Sequence, residues 1–262
     1  MTAVAAGLLF AGAVIAALWA FQNHLLFFPR PLAGPEPNGP HVEAVLLAAD
    51  DGPRLRGWLI HAGPTPSPLV IYFGGNAEEV SWLAGSSRFL TGWSLLLMNY
   101  RGYGGSEGRP SERTLFADAL RVFDHAAGRT DVEPRRIVAM GRSLGSGVAV
   151  HLAAHRPLVG AVLVTPFDSI TAVARRHYPY LPVRWLLRHP FDSLARAPAL
   201  RIPLLCLVAG QDAVIPPVHA RRLYEGWAGP KAWREFPAAD HDGISDAAGY
   251  WEDIAAFLAD RR

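Results

Sequence analysis

Cysteine is almost missing from this chain of 262 residues. Cys206 is alone, so no intrachain disulfide can form and stability must come from an apolar core. Lysine is as scarce: of 25 basic residues only Lys231 is a lysine. The arginines therefore read as a composition bias, not one by one as phosphate ligands. No Cys-x-x-Cys, His-Glu-x-x-His or phosphate-loop pattern occurs, and the histidines are dispersed, so no metal or other cofactor is implied. Charged residues make up 18% of the chain and the net charge is +2, which suggests no nucleic-acid or acidic partner. Half the residues are hydrophobic, enough to exclude disorder, and the length suits one large α/β core.

What is present alternates. Strands are expected near Val42–Leu47, Leu55–His61, Pro68–Phe73, Ser94–Asn99, Ile137–Met140, Ala161–Thr165, Leu204–Ala209 and Ala232–Phe236. Helices are expected near Glu78–Phe89, Ser111–Ala127, Leu144–His155, Pro217–Gly226 and Ile244–Asp260. Strands and helices alternating from the third strand onward predict an α/β fold, a mostly parallel eight-stranded sheet covered on both faces. The stretch Phe167–Arg201 breaks the alternation, with Tyr178-Pro179-Tyr180-Leu181-Pro182 and an amphipathic Val183–His189.

Between a strand and a small-residue helix stands Gly141-Arg142-Ser143-Leu144-Gly145. A nucleophile elbow needs such a sharp strand-to-helix turn, with glycines flanking the serine so that the backbones do not clash. Gly104-Gly105-Ser106-Glu107-Gly108 fits the same pattern, but Arg109-Pro110 follows it, so Ser106 reads as a turn residue. A serine needs a base and the base an orienting acid, in the chain order Ser, Asp or Glu, His. His41 and His61 precede the elbow. His151 and His155 lie on the helix after it and point away. His177 and His189 sit in a basic irregular segment, and His219 opens what reads as a surface helix. His241, in a loop after the last strand, is the candidate base. Asp212, in the turn past Leu204–Ala209, is the candidate acid, since functional groups gather at the carboxyl ends of parallel strands. Asp240 and Asp242 are the competitors, but neighbours in sequence rarely reach each other's ring nitrogen.

With these residues the chain resembles an α/β-hydrolase of the serine-hydrolase kind, most closely the small membrane-anchored abhydrolase-domain branch. The matching pieces are Phe27-Phe28-Pro29, Tyr72-Phe73-Gly74-Gly75-Asn76-Ala77, Asn99-Tyr100-Arg101-Gly102-Tyr103-Gly104-Gly105-Ser106, the elbow, Phe191-Asp192-Ser193, Gly210-Gln211-Asp212 with Ile215-Pro216-Pro217, and His241. The resemblance implies a cap over the site at about 167–201. It also implies an oxyanion hole made by the backbone N–H groups of Leu144 and Asn76, two donors facing the charge that develops on an acyl oxygen. The sequence departs from the pattern twice: Gly74 stands where a histidine is usual, and Asn99 where an aspartate is usual.

The N-terminus is the one long apolar run. Thr2 to Asn23 carries no charge, and Ala3 to Phe21 spans close to a ~30 Å hydrocarbon core at ~1.5 Å per residue. It reads as an uncleaved single-pass anchor over 1–28, followed by a hydrolase domain over 29–262. A cleaved signal peptide is the runner-up, disfavoured because no Lys or Arg precedes the run. Arg30 leans the catalytic domain toward the cytoplasm. The expected function is hydrolysis of a small-molecule or acyl-chain ester or thioester by Ser143, Asp212 and His241. An aminopeptidase-like peptidase and a membrane-tethered non-catalytic binding module are the alternatives. Arg175, Arg176, Arg184, Trp185 and Arg188 give the cap two readings, an ordinary lid or a face resting on anionic lipid.

Overall fold

The computed structural model describes residues 2–261; for Thr2, Ala3, Val4, Leu8 and Ala11 it describes the backbone alone. One eight-stranded sheet runs through the molecule, built from β1 (Val42–Ala48), β2 (Arg54–Ile60), β3 (Ser67–Phe73), β4 (Ser94–Met98), β5 (Val132–Arg142), β6 (Gly160–Val164), β7 (Leu204–Ala209) and β8 (Lys231–Phe236). Its order is β1-β2-β4-β3-β5-β6-β7-β8. Only β2 runs against its neighbours. From β4 onward every pairing is parallel.

Parallel strands need crossovers, and the crossovers cover both faces. Alternation along β3 shows the division: Leu69, Ile71 and Phe73 join one buried cluster, Val70 and Tyr72 the other. The first cluster takes Leu115 and Phe116 of α3 (Glu112–Ala127), Val148 of α4 (Leu144–His155) and Leu223 of α7 (Pro217–Gly226). The second takes Val80 and Leu83 of a 3₁₀ segment (Val80–Phe89), and Ile254 and Phe257 of α8 (Tyr250–Ala259). Cys206 lies in β7, and burial pushes its thiol up, so it stays a protonated core residue.

Two expected elements differ, and the stretch 167–201 holds two short α-helices. The helix expected near Glu78–Phe89 is 3₁₀, capped by the Glu79 carboxylate on the Ser81 N–H; its serines and Gly85 have little helix propensity to hold α geometry. The helix expected over Ile244–Asp260 is split, because Gly249 at φ 88° turns the chain between a 3₁₀ turn (Gly243–Asp246) and α8. In the cap, α5 (Ile170–His177) is followed by only four helical residues, α6 (Val183–Leu186), since Leu187 is already extended.

The N-terminal run forms α1 (Thr2–Ala20), then a short α2 (Gln22–Leu26). The expected single-pass span is not carried: among the described residues no helix is long and apolar enough to cross a membrane. Part of that run, the side chains at 2–4, 8 and 11, lies outside them. Where the run ends, polar side chains turn back onto the protein: Gln22 donates to the Leu186 carbonyl at 2.6 Å and accepts from the Arg188 N–H at 2.8 Å.

Candidate active site

Ser143 sits between β5 and α4 at φ 50°, ψ −118°, a strained conformation for a residue with a Cβ. The turn closes only around glycine. A Cβ on Gly141 would lie 2.2 Å from the Gly145 carbonyl oxygen, and one on Gly145 would lie 2.0 Å from that of Phe73. Leu144 opens α4, so its N–H has no acceptor within the helix and the positive end of the helix dipole faces the serine.

Asp212 follows β7 and His241 follows β8. His241 Nε2 is 3.0 Å from Ser143 Oγ, and its Nδ1 is 2.7 Å from Asp212 Oδ2. The other oxygen of Asp212 accepts from the N–H groups of Val214 and Ile215 at 2.9 and 2.7 Å, which fixes the carboxylate. Asp212 and His241 are both buried. Asp240 and Asp242 face elsewhere: Asp240 accepts from the Gly243 N–H, and Asp242 pairs with Arg142. Ser106 is consumed by structure, accepting from the Arg56 N–H and donating to the Asn99 carbonyl.

The loop after β3 carries Gly74-Gly75-Asn76-Ala77-Glu78 beside the elbow. Its backbone is held from several sides. The Tyr100 hydroxyl donates to the Gly74 carbonyl at 2.9 Å. The Glu78 carboxylate accepts from the Gly75 N–H at 2.5 Å, the Tyr72 hydroxyl at 2.7 Å and the Trp82 indole at 3.2 Å. Burial, then the Glu78 charge, pushes the Tyr72 phenol up, so it remains a donor. The Asn76 side chain turns toward the N-terminal segment, donating to the Leu26 carbonyl at 2.6 Å and accepting from the Phe28 N–H at 3.0 Å and the Tyr103 hydroxyl at 2.9 Å. Asn99 faces Glu79 and donates to its carboxylate at 3.1 Å. An aspartate there would set two carboxylates against each other, which explains the amide. An open groove of about 970 Å³ runs beside this loop, lined by Arg30, Asn76, Trp82, Arg142 and Asp242 among others.

Several residues gain roles that sequence reasoning did not assign. His219 lies in the first turn of α7, as expected, but its side chain is buried, with Nδ1 2.8 Å from Asp168. His189 is buried against Asn23, and burial followed by the Arg188 charge lowers its pKa. Glu43, His61 and Asp131 bring donor atoms close enough for a cation, but Arg129 already fills that space, bridging Glu43 and Asp131 at 2.6–2.9 Å.

The comparisons with known proteins agree with this architecture. The model of the family "Serine aminopeptidase, S33" matches residues 64–195. An uncharacterized protein of Mycobacterium tuberculosis is 39% identical, the alignment covering 96% of this chain and 92% of that one. The alpha/beta hydrolase domain-containing protein WAV2 of Arabidopsis thaliana is 30% identical, over 96% of this chain and 91% of its own. Among solved structures, an acetyl xylan esterase from a Paenibacillus species superimposes with a TM-score of 0.72 at 20% identity, covering 95% of this chain and 93% of that one. A Pyrococcus furiosus esterase does so at 0.67 and 18%, over 89% and 99%. The chain is a hydrolase-type member of the α/β-hydrolase superfamily and belongs to the serine aminopeptidase S33 family.

Proposed function

We propose that the protein hydrolyses a carboxylic ester or thioester through an acyl-enzyme intermediate. The observation that supports this is the continuous hydrogen-bond chain Ser143–His241–Asp212 on three separate strand ends. In this reading Ser143 Oγ attacks the acyl carbon while its proton passes to His241 Nε2. The Leu144 and Asn76 N–H groups stabilise the oxyanion. His241 then protonates the departing alcohol or thiol, and a water, deprotonated by His241, releases the acid and restores Ser143. Asp212 holds the imidazole tautomer throughout.

The family description also raises aminopeptidase action. Such an enzyme must hold its substrate's ammonium with an acidic group. The acidic side chains along the groove are engaged: Glu78 with Arg142, Glu79 with Ser81 and Asn99, Asp242 with Arg142. That favours the ester. The esterase names of the neighbouring folds agree with it but do not choose the substrate. The test is Ser143→Ala, expected to abolish both p-nitrophenyl ester turnover and fluorophosphonate labelling. Labelling retained at another serine, Ser106 included, overturns the assignment, and an unlabelled wild-type protein points to the non-catalytic module.

Residues 1–28 are proposed as a segment that attaches the hydrolase domain to a membrane surface. In support, α1 carries no charge and exposes Leu9, Phe10, Val14 and Trp19, while Tyr180 and Trp185 of the cap are exposed beside arginines. The full chain is expected to sediment with vesicles containing anionic lipid, and less so with Arg175, Arg176 and Arg184 changed together to Gln. A chain that stays in the supernatant refutes the attachment.

A further inference from the structure

The three loops that meet at Ser143 do not come from three neighbouring strands. The Gly74–Glu78 loop follows β3 and the elbow follows β5, which pair directly, but β6 and β7 separate β5 from β8, whose end carries His241. Sheet pairing sets the first two directly against each other and reaches the histidine loop only through β6 and β7, with the Gln211 N–H donating to the Ala239 carbonyl.

We propose that Glu78 and Arg142 are a positioning pair that sets the histidine loop and the oxyanion loop against the elbow. Arg142 is the residue before the nucleophile. One arm of its guanidinium, Nη1, reaches Glu78 Oε2 at 3.3 Å; the other, Nη2, donates to the His241 carbonyl and to Asp242 Oδ1, each at 3.1 Å. The Glu78 oxygen that faces Arg142 also accepts the Gly75 N–H at 2.5 Å. One ion pair thus touches the backbone of the oxyanion loop, the elbow and the backbone of His241 itself. The pair is largely out of water, with Glu78 side-chain exposure of 6% and Arg142 of 15%. Burial is the largest single influence on the Arg142 pKa and lowers it; the Glu78 charge, Tyr72, the Glu78 hydrogen bond and Asp242 together outweigh it and raise it.

Tyr100 and Asn76 hold the loop from other sides, but neither reaches the histidine loop. A Cβ at Gly74 would lie 2.8 Å from Val80 Cγ1, so a side chain where the resemblance leads one to expect a histidine would require Val80 to shift. A Cβ at Gly75 would lie 3.1 Å from Glu78 Oε2 and 3.5 Å from Ser143 Cβ, so carboxylate, loop and nucleophile form one close package. Glu78 does from below the loop what an imidazole at position 74 would do from within it. Neither Glu78 nor Arg142 takes part in a reacting bond; they act through Gly75 and His241, and displacements of about 1 Å at such groups cost about 100-fold in rate.

This inference rests on the hydrolase reading, and one set of measurements separates the two. Full-length Glu78→Gln, Arg142→Gln, Arg142→Lys and the double Gln variant are compared with wild type for kcat and KM on a p-nitrophenyl ester, and for thermal midpoint. Each single Gln variant is expected to lower kcat about 10- to 100-fold with KM within about twofold. The double variant should fall no further than the worse single one, because a shared brace breaks only once. Arg142→Lys, which keeps the charge but not the fork, should regain part of the loss. If Glu78→Gln does not fold, Arg142→Gln decides alone. An Arg142→Gln enzyme with wild-type kcat overturns the pair, as do losses that multiply in the double variant and appear in KM. A wild-type protein that neither turns over nor labels with fluorophosphonate overturns the hydrolase reading, and the pair falls with it.

Discussion

Asn99 shows how a single side chain is dictated by one neighbour. It is almost fully buried at the end of β4; its Oδ1 accepts the Val80 N–H at 3.2 Å while its Nδ2 donates to Glu79. The amide accepts on one side and donates to a carboxylate on the other, which an ionised aspartate, an acceptor only, cannot do. Asn99→Asp would replace the donor with a second negative charge in a buried place, and is expected to cost about 2–3 kcal/mol at neutral pH, read as a lower urea midpoint. An unchanged midpoint would show that Glu79 does not need that donor. The elbow glycines are held as tightly: Gly145→Ala drives a methyl group into the Phe73 carbonyl, and soluble protein with wild-type turnover from that variant would contradict the turn geometry.

Among the elements, α4 carries a pH dependence of its own. His151 stacks on Phe116 with ring centroids 3.9 Å apart and planes within 5°. Burial first, then the charges of His155 and Arg196, pushes its pKa from 6.5 to about 3. The folded protein therefore keeps His151 neutral where the unfolded chain protonates it. Above 6.5 the two states bind the same number of protons and the contribution is complete; as pH falls from 6.5 toward 3 the unfolded state gains a proton the folded state refuses, and stability drops. Urea unfolding of wild type should weaken between pH 7 and pH 5, and His151→Leu should weaken less; equal slopes would remove His151 as the cause. Element identity was legible where pattern and length agreed: β7 and α4 occupy the residues that hydropathy and small-residue spacing assign to them. It was not legible where a tertiary choice decided, as at Gly249, whose left-handed φ splits one helical pattern in two. The nearness of Ser143, Asp212 and His241 follows from chain order, because each ends a strand of one parallel sheet. The Glu78–Arg142 pair leaves no such trace, since a carboxylate and a guanidinium 64 positions apart have no spacing to recognise.

Across the whole molecule, the N-terminal segment is wired into both the 167–201 stretch and the Gly74–Glu78 loop. Asn23 donates to the Pro110 carbonyl and meets His189 Nε2 at 2.8 Å, and the Arg188 guanidinium lies 5.1 Å from the Trp19 ring centre. Phe27 is 2% exposed, packed edge-on against His189 and Phe191. Two truncations should therefore behave differently. Removing residues 1–20 takes away α1 and the Trp19 contact but leaves Gln22, Asn23, Phe27 and the Asn76 clamp. Its thermal midpoint and its turnover of a soluble ester should stay near those of the full chain. Removing residues 1–28 empties the Phe27 site, worth about 3–5 kcal/mol by comparison with Phe→Ala changes, and strips Asn76 of the Leu26 carbonyl and the Phe28 N–H. At about 2–4 °C per kcal/mol for a chain of this size, the midpoint should fall by roughly 6–20 °C. Turnover should fall even at temperatures where the shorter chain is folded, because the loop bearing Asn76 has lost its outer support. Differential scanning calorimetry with ester kinetics on the two truncated proteins decides it. If the 29–262 chain matches the 21–262 chain in both, the segment from Gln22 to Phe28 is a passive tether and the site stands without it.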